Sequence, residues 1–286
     1  MVNIRFSTSN LFVIMNMNYF KKFDKVIFSV WRSFNYADYQ KYSDIITKKE
    51  PEVIPKNISA KKQLEAYQTK YDFNINKEIT DAQSSKTSSD VVTKKTEIME
   101  SLPKKIKTED LQQIKQLVND TSNTVYGIKN EKNALKTFEI QKKCKVSSSQ
   151  LCSEVEIKID DNTDNIIVLI GKIDGLTDKG EVVEIKNRVN KHFNKIRDYE
   201  EPQIMTYLWM NKCANGYMVE NLNTQSGCNI NIMDISYKDQ YVEQQVIPNL
   251  KRFYKFFIDF MDNEEWKLAL LKGEEGKIYK IYRDKY

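Results

Sequence analysis

Two β-rich runs, Ile166–Leu176 and Glu181–Arg188, stand either side of Thr177-Asp178-Lys179-Gly180, and they constrain this chain more than any other stretch. Asp, Lys and Gly suit a hairpin turn between strands of this composition. Strand side chains alternate faces, so Glu184 and Lys186 project to one side and Ile185 to the other. Asp174, on the preceding strand across the turn, reaches the same face. One Asp, one Glu and one Lys then converge beside a hydrophobic sheet. Such a set suits divalent-metal phosphodiester chemistry, because carboxylates hold a hard cation and an ammonium group assists water or developing charge.

Two flanking motifs extend the set. Upstream, Tyr126-Gly127-Ile128-Lys129-Asn130-Glu131 leads into Ala134, Leu135 and Phe138, apolar positions at helical spacing. Glu131 falls at the edge of that apolar face. Downstream, Pro202 suits the first turn of a helix on which Gln203 and Tyr207, four residues apart, share a face.

In this order, Gly127-x-x-x-Glu131, Asp174-Gly175-Leu176, Glu184-Ile185-Lys186 and Gln203-x-x-x-Tyr207 resemble the motifs of the PD-(D/E)xK nuclease superfamily, most closely its lambda-exonuclease and YqaJ-like viral recombinase branch. The resemblance spans about residues 108–286. It implies an α/β fold with a restriction-endonuclease-like core, a mixed β-sheet flanked by helices. It also implies a Mg²⁺- or Mn²⁺-dependent deoxyribonuclease, an exonuclease of viral recombination or repair, with DNA and a recombination or replication protein as partners. Carried over residue by residue, Asp174, Glu184, the backbone carbonyl of Ile185 and Glu131 would hold the metal. Lys186 would orient or deprotonate the attacking water, and Gln203 would position that water or a phosphate.

The chain departs from the family before Gly127, where no R-x-G-x-x-x-S-like motif for a terminal phosphate occurs; Ser122 or Thr124 is the nearest substitute. Lys172 also replaces the small or hydroxyl residue that the family often has two before the Asp. The missing end-phosphate motif keeps a structure-specific or nicking endonuclease on the same fold as the alternative. A catalytically inactive nuclease-like DNA-binding protein is the other, and the intact acid and lysine set argues against it.

Between Lys186 and Arg197 lie five basic residues and no acidic one. Arg188, Lys191, Lys195 and Arg197, with Tyr207, are therefore the expected nucleic-acid-binding residues. The overall excess of 45 Lys+Arg over 40 Asp+Glu permits such a partner without arguing for it. Cys144, Cys152, Cys213 and Cys228 are scattered with no C-x-x-C, which speaks against an iron–sulfur cluster and for reduced thiols in an intracellular protein. The single histidine, His192, excludes mechanisms needing two. No apolar run approaches the roughly 18 residues of a membrane span, and Arg5, Lys21 and Lys22 give only a faint transit-peptide character.

Residues 1–105 are expected to form an N-terminal helical extension followed by a polar linker, and residues 106–286 the nuclease domain. The extension is aromatic-rich (Phe20, Phe23, Phe28, Trp31, Phe34, Tyr36, Tyr39, Tyr42), and Ala60–Tyr71 is expected to be a short helix. Gln83–Asp90, rich in Ser, is expected to be flexible. The domain should then run as helices Thr108–Asp120 and Glu131–Lys142, strands Glu154–Ile159, Asn165–Leu176 and Glu181–Arg188, helix Pro202–Lys212, strands Gly216–Leu222 and Ile230–Ser236, and a helical end. There Val242, Val246, Leu250, Phe253, Phe257 and Phe260 recur at helical steps.

Overall fold

Among the described residues eight strands fall into two mixed sheets, and the chain crosses from one to the other beside the candidate residues. The computed structural model describes residues 2–17, 23–49, 54, 58–147 and 152–286, so Phe20 of the expected aromatic extension lies outside the described residues. In the first sheet β1 (Asn3–Ser7) runs parallel to β4 (Ile166–Lys172), and β3 (Cys152–Lys158) is antiparallel on the other side of β4. The second has the order β2 (Val146–Ser147), β5 (Gly175–Thr177), β6 (Val182–Arg188), β7 (Asn215–Thr224), β8 (Gly227–Ser236), with β6 and β7 parallel. Helices flank both, which is the expected α/β architecture.

The expected strand Asn165–Leu176 is in fact two strands. It breaks at Ile173-Asp174, where the chain leaves β4 and joins β6 through β5. Ile173 is buried and anchors the crossing. Gly175 makes the close approach to β2: a Cβ there would meet Val146 Cγ1 at 2.4 Å. Gly180 closes the β5–β6 turn with φ of 77°.

The first residues are not wholly helical. Ile4 and Phe6, both fully buried, point inward from β1 (paired as Ile4 with Ile167 and Phe6 with Leu169), and α1 (Leu11–Ile14) follows. Helices α2 (Phe23–Phe34) and α3 (Tyr36–Lys49) then bury Phe23 and Trp31 against the chain's end, where α9 (Ile247–Met261), α10 (Glu264–Leu271) and α11 (Glu275–Lys285) lie. Phe23 stacks on Tyr282 at 4.8 Å, and Trp31 meets Phe260 edge-on at 5.2 Å. These segments, placed apart as an extension by composition, thus share one hydrophobic core with the terminal aromatic stripe.

A second core joins α4 (Ala60–Tyr71), α5 (Asn76–Gln83), α6 (Ser88–Ser101) and the N-terminal half of α7 (Thr108–Lys142) through Leu64, Ile79, Ile98, Ile114 and Val118. Helix α4 has the bounds expected from sequence. The Ser-rich run before α6 is ordered helix start rather than linker. Thr87 Oγ1 accepts from the Asp90 N–H while the Asp90 carboxylate accepts from the Thr87 N–H, a capping box. Likewise the two helices expected over 108–120 and 131–142 are one helix of 35 residues. Ser122, Asn123 and Thr124 are weak helix formers, but burial of Ser122 and Tyr126 carries the helix through them. Its C-terminal half lays Ala134, Leu135 and Phe138 on Val183, Ile185 and Val219 of the second sheet.

Candidate active site

The site is built on β6. Val183 and Ile185 face α7, so strand alternation turns Glu184 and Lys186 to the other face of the sheet, under α8 (Glu201–Met210). Lys186 Nζ donates to Glu184 Oε1 at 2.7 Å and to Gln203 Oε1 at 3.0 Å. Gln203 Nε2 in turn donates to the Tyr207 hydroxyl at 2.8 Å. The ring of Tyr207 lies against Gly171 of β4, where an added Cβ would meet it at 3.1 Å. Asp174, at the break between the sheets, accepts the Ile185 N–H on Oδ2 at 2.7 Å, which pins its carboxylate to the β6 backbone.

Glu184 is 4% exposed, and its second oxygen, Oε2, is buried with no hydrogen-bond donor among the described residues. Burial pushes its pKa up to about 8, with the nearby Asp174 carboxylate adding to the rise and Lys186 opposing it. Burial raises Asp174 too, against the pull of the Ile185 N–H and Lys186. On Lys186 burial acts downward, but the Glu184 carboxylate outweighs it and holds the ammonium charged. Two carboxylates forced up in pKa, one with an orphaned oxygen, form a donor set that a hard cation would satisfy. Glu131 stands on α7, half-buried, and its pKa is raised by burial and then by the charge of Asp174. Among the described residues no hydrogen bond joins it to Asp174 or Glu184, and no group of three or more acidic, His or Cys side chains is close enough to hold a metal ion.

The structure thus brings together Asp174, Glu184, Lys186 and Gln203, with Ile185 joined through its N–H and Glu131 coupled through its charge. It places the expected nucleic-acid contacts differently. Arg188 is turned inward: its guanidinium donates to Glu200 at 2.8 and 3.1 Å and to Glu220 at 2.8 Å, with 11% of the side chain exposed. A buried strand position cannot leave a guanidinium unpaired, so it folds onto carboxylates and not toward solvent. Tyr207 is 3% exposed and committed to Gln203, its hydroxyl pushed up to about 12 by burial and the charge of Glu184. Lys191 and Lys195 are exposed, while Arg197 lies over the Phe193 ring at 4.4 Å. His192 faces the Asn229 carbonyl at 3.2 Å, apart from the carboxylates.

Several residues of the site's frame escape a reading of sequence. Glu220 is fully buried on β7, facing Lys186 in register, and accepts from Arg188, Phe193 N, Asn194 N and Asn231. An acid inside the run Met218-Val219-Glu220 was the available signal. Ser88 Oγ donates to the Arg188 carbonyl at 2.9 Å and accepts from Asn223 N at 3.1 Å, clamping the ends of β6 and β7. Buried Thr8, just past β1, lies within side-chain hydrogen-bonding reach of Tyr207. No local pattern marks either.

No family model matches this chain, and no curated protein matches it. Among solved structures, one described as "Crystal structure of SSO0001" aligns at 14% identity over 66% of this chain and 85% of its own, with a TM-score of 0.36. Another, "Crystal Structure of LHK-Exo in complex with dAMP", aligns at 13% identity over 73% of this chain and 90% of its own, with a TM-score of 0.29. At these scores the chemistry of this chain rests on its own residues.

Proposed function

We propose that the protein is a metal-dependent deoxyribonuclease that hydrolyses DNA phosphodiester bonds, with exonuclease action in recombination or repair as the specific form. One observation carries the reading: Glu184, buried beside Asp174 with Oε2 unpartnered, shares its other oxygen with a Lys186 ammonium that Gln203 also holds. Asp174 and Glu184 would bind Mg²⁺ or Mn²⁺; the Ile185 carbonyl, and Glu131 if it moved closer than it stands in the metal-free chain, are the further ligands that the resemblance implies. When bound, the cation supplies Lewis-acid activation of water and neutralises charge on the phosphate. Lys186 stabilises the charge that grows on the phosphoryl oxygens or steers the water, beside a buried carboxylate where such a donor counts for more than in open water. Gln203, braced by Tyr207, fixes the ammonium direction. Uncatalysed hydrolysis is slow enough that these groups must lower the barrier by about 20 kcal/mol.

The test is digestion of linear, nicked and closed circular DNA with and without Mg²⁺ or Mn²⁺. Cleavage only with metal, of linear but not closed DNA, is the expected result. Cleavage of closed circles would make the enzyme an endonuclease on the same site. Metal-independent cleavage, or none, would overturn the reading.

A further inference from the structure

The side chain that holds Lys186 is itself held from outside the site. Lys186, which can only donate, takes Oε1 of Gln203, and this leaves Gln203 Nε2 to donate to the Tyr207 oxygen. The buried phenol keeps its own proton, and a buried donor needs an acceptor. Besides Gln203, its one side-chain partner among the described residues is the hydroxyl of Thr8, which is 1% exposed. Backbone pairing accounts for the meeting of residues so far apart in the chain. Ser7, just before Thr8, is in register with Ile170, just before Gly171, and Tyr207 lies against Gly171, where no Cβ stands in its way.

The segment that carries Thr8 is fastened on both sides. Before it, the Val2 N–H donates to Asn165 Oδ1 at 2.9 Å, and β1 pairs with β4 from Asn3 to Ser7. After it, the Ile14 carbonyl accepts from the Tyr282 hydroxyl at 2.7 Å and from Arg252 Nη2 at 2.9 Å. If the Thr8 hydroxyl were removed, the phenol would be left with Gln203 alone. Its proton would then compete with Lys186 for Oε1, and an amide turned to accept it would set Nε2 against the ammonium, donor against donor. Resting on the phosphodiester-hydrolase reading above, we propose that Thr8 is a positioning residue for that reaction. Through Tyr207 it fixes which end of the Gln203 amide faces Lys186, and with it the direction of the ammonium. The first strand of the chain is thereby part of the frame on which the lysine acts.

The experiment compares full-length variants in single-turnover cleavage of linear DNA with Mg²⁺, and in DNA affinity with metal withheld. Thr8→Val, close in shape but without the hydroxyl, is expected to lower the cleavage rate by roughly 10-fold, the scale of a slight misplacement, at unchanged affinity. Thr8→Ser, which keeps the hydroxyl, should restore the rate. On a Tyr207→Phe background Thr8→Val should add no further loss, because the two act through one link. Ile4→Val loosens the same strand's core without touching the link and should leave the rate as it is. Thr8→Ala takes the place of Thr8→Val if the latter does not fold. An unchanged rate in Thr8→Val, a loss that Thr8→Ser does not rescue, or an equal loss in Ile4→Val would each overturn the proposal. A second readout needs no catalysis. With glutamine isotopically labelled, the Gln203 side-chain amide resonance, identified by its disappearance in Gln203→Glu, should shift in Thr8→Val and hold its place in Thr8→Ser and Ile4→Val. An active wild-type protein whose rate and amide resonance ignore Thr8→Val removes the positioning role alone. An inactive wild-type protein removes the hydrolase reading, and the amide resonance then decides by itself whether Thr8 sets Gln203.

Discussion

Glu184 and Glu220 sit on neighbouring parallel strands, are 4% and 0% exposed, and meet opposite fates. Glu220 accepts from Arg188 Nε at 2.8 Å, Phe193 N at 2.9 Å, Asn194 N at 3.0 Å and Asn231 Nδ2 at 3.2 Å. Those donors overcome burial and hold its carboxyl below the usual range. Glu184 has Lys186 on one oxygen and, among the described residues, no donor on the other, with only the Asp174 carboxylate beside it, and burial lifts it to about 8. Equal burial therefore gives a finished structural ion network in one case and an unfinished site in the other. A fold that supplies four donors to one acid has left the second short, and such a shortfall in a packed interior is where a ligand belongs.

Four changes test that contrast. Lys186→Ala is expected to lower cleavage by roughly 10²–10⁴-fold, the range for loss of a group acting in the transition state, while DNA binding stays within a few fold. Single-turnover assays with labelled DNA would show it, and full activity would remove Lys186 from the chemistry. Arg188→Met leaves Glu200 and Glu220 buried without their cation. It should cost about 3–5 kcal/mol of stability in urea unfolding. Lys186→Met should cost far less in the same assay, because Glu184 can keep a proton; equal losses would erase the difference between the two clusters. Asp174→Asn keeps an acceptor for the Ile185 N–H but removes a formal charge. Calorimetric Mg²⁺ affinity should fall by at least the roughly 10–100-fold that loss of an outer-shell partner costs. Unchanged affinity would place the ligand elsewhere.

Strands β6, β7 and β8 of the second sheet were legible because alternation and a Gly turn are local, and so were the shared face of Glu184 and Lys186 and the helix bounds of α4. Three things were not. The break at Ile173-Asp174 depends on β5 finding β2 and β6, which apolar continuity through Ile173 conceals. The basic run from Lys186 to Arg197 reads as one surface, yet Arg188 is drawn inward by Glu200 and Glu220, thirty-two residues away in the latter case. And β1 is specified only by its pairing with β4, over 160 residues downstream, so Ile4 and Phe6 carry no local strand signal beyond alternation. Composition separated the first hundred residues from the rest; long-range apolar burial joined their first half to the chain's end.

The smallest expected effect, and the most pointed, is that of Glu184→Gln on the metal-free protein. The folded pKa of Glu184, about 8, lies above its unfolded value near 4.5, so the folded state holds the proton more tightly. Its contribution to stability is therefore full below pH ~4.5 and lost as pH rises through about 8. Lys186, raised and charged throughout that window, does not compensate. Wild-type melting temperature in chelator should accordingly fall from pH 5 to pH 8.5, whereas Glu184→Gln, which cannot ionise, should fall less and gain on the order of 1 kcal/mol over wild type at the alkaline end. Glu220→Gln should do the reverse, destabilising across the range because its charge is already satisfied. Adding Mg²⁺ at pH 8 should lift the wild-type melting temperature and leave Glu184→Gln where it was. Parallel profiles for wild type and Glu184→Gln, with no difference in response to Mg²⁺, would mean that Glu184 is as settled as Glu220 and that the orphaned oxygen marks no cation.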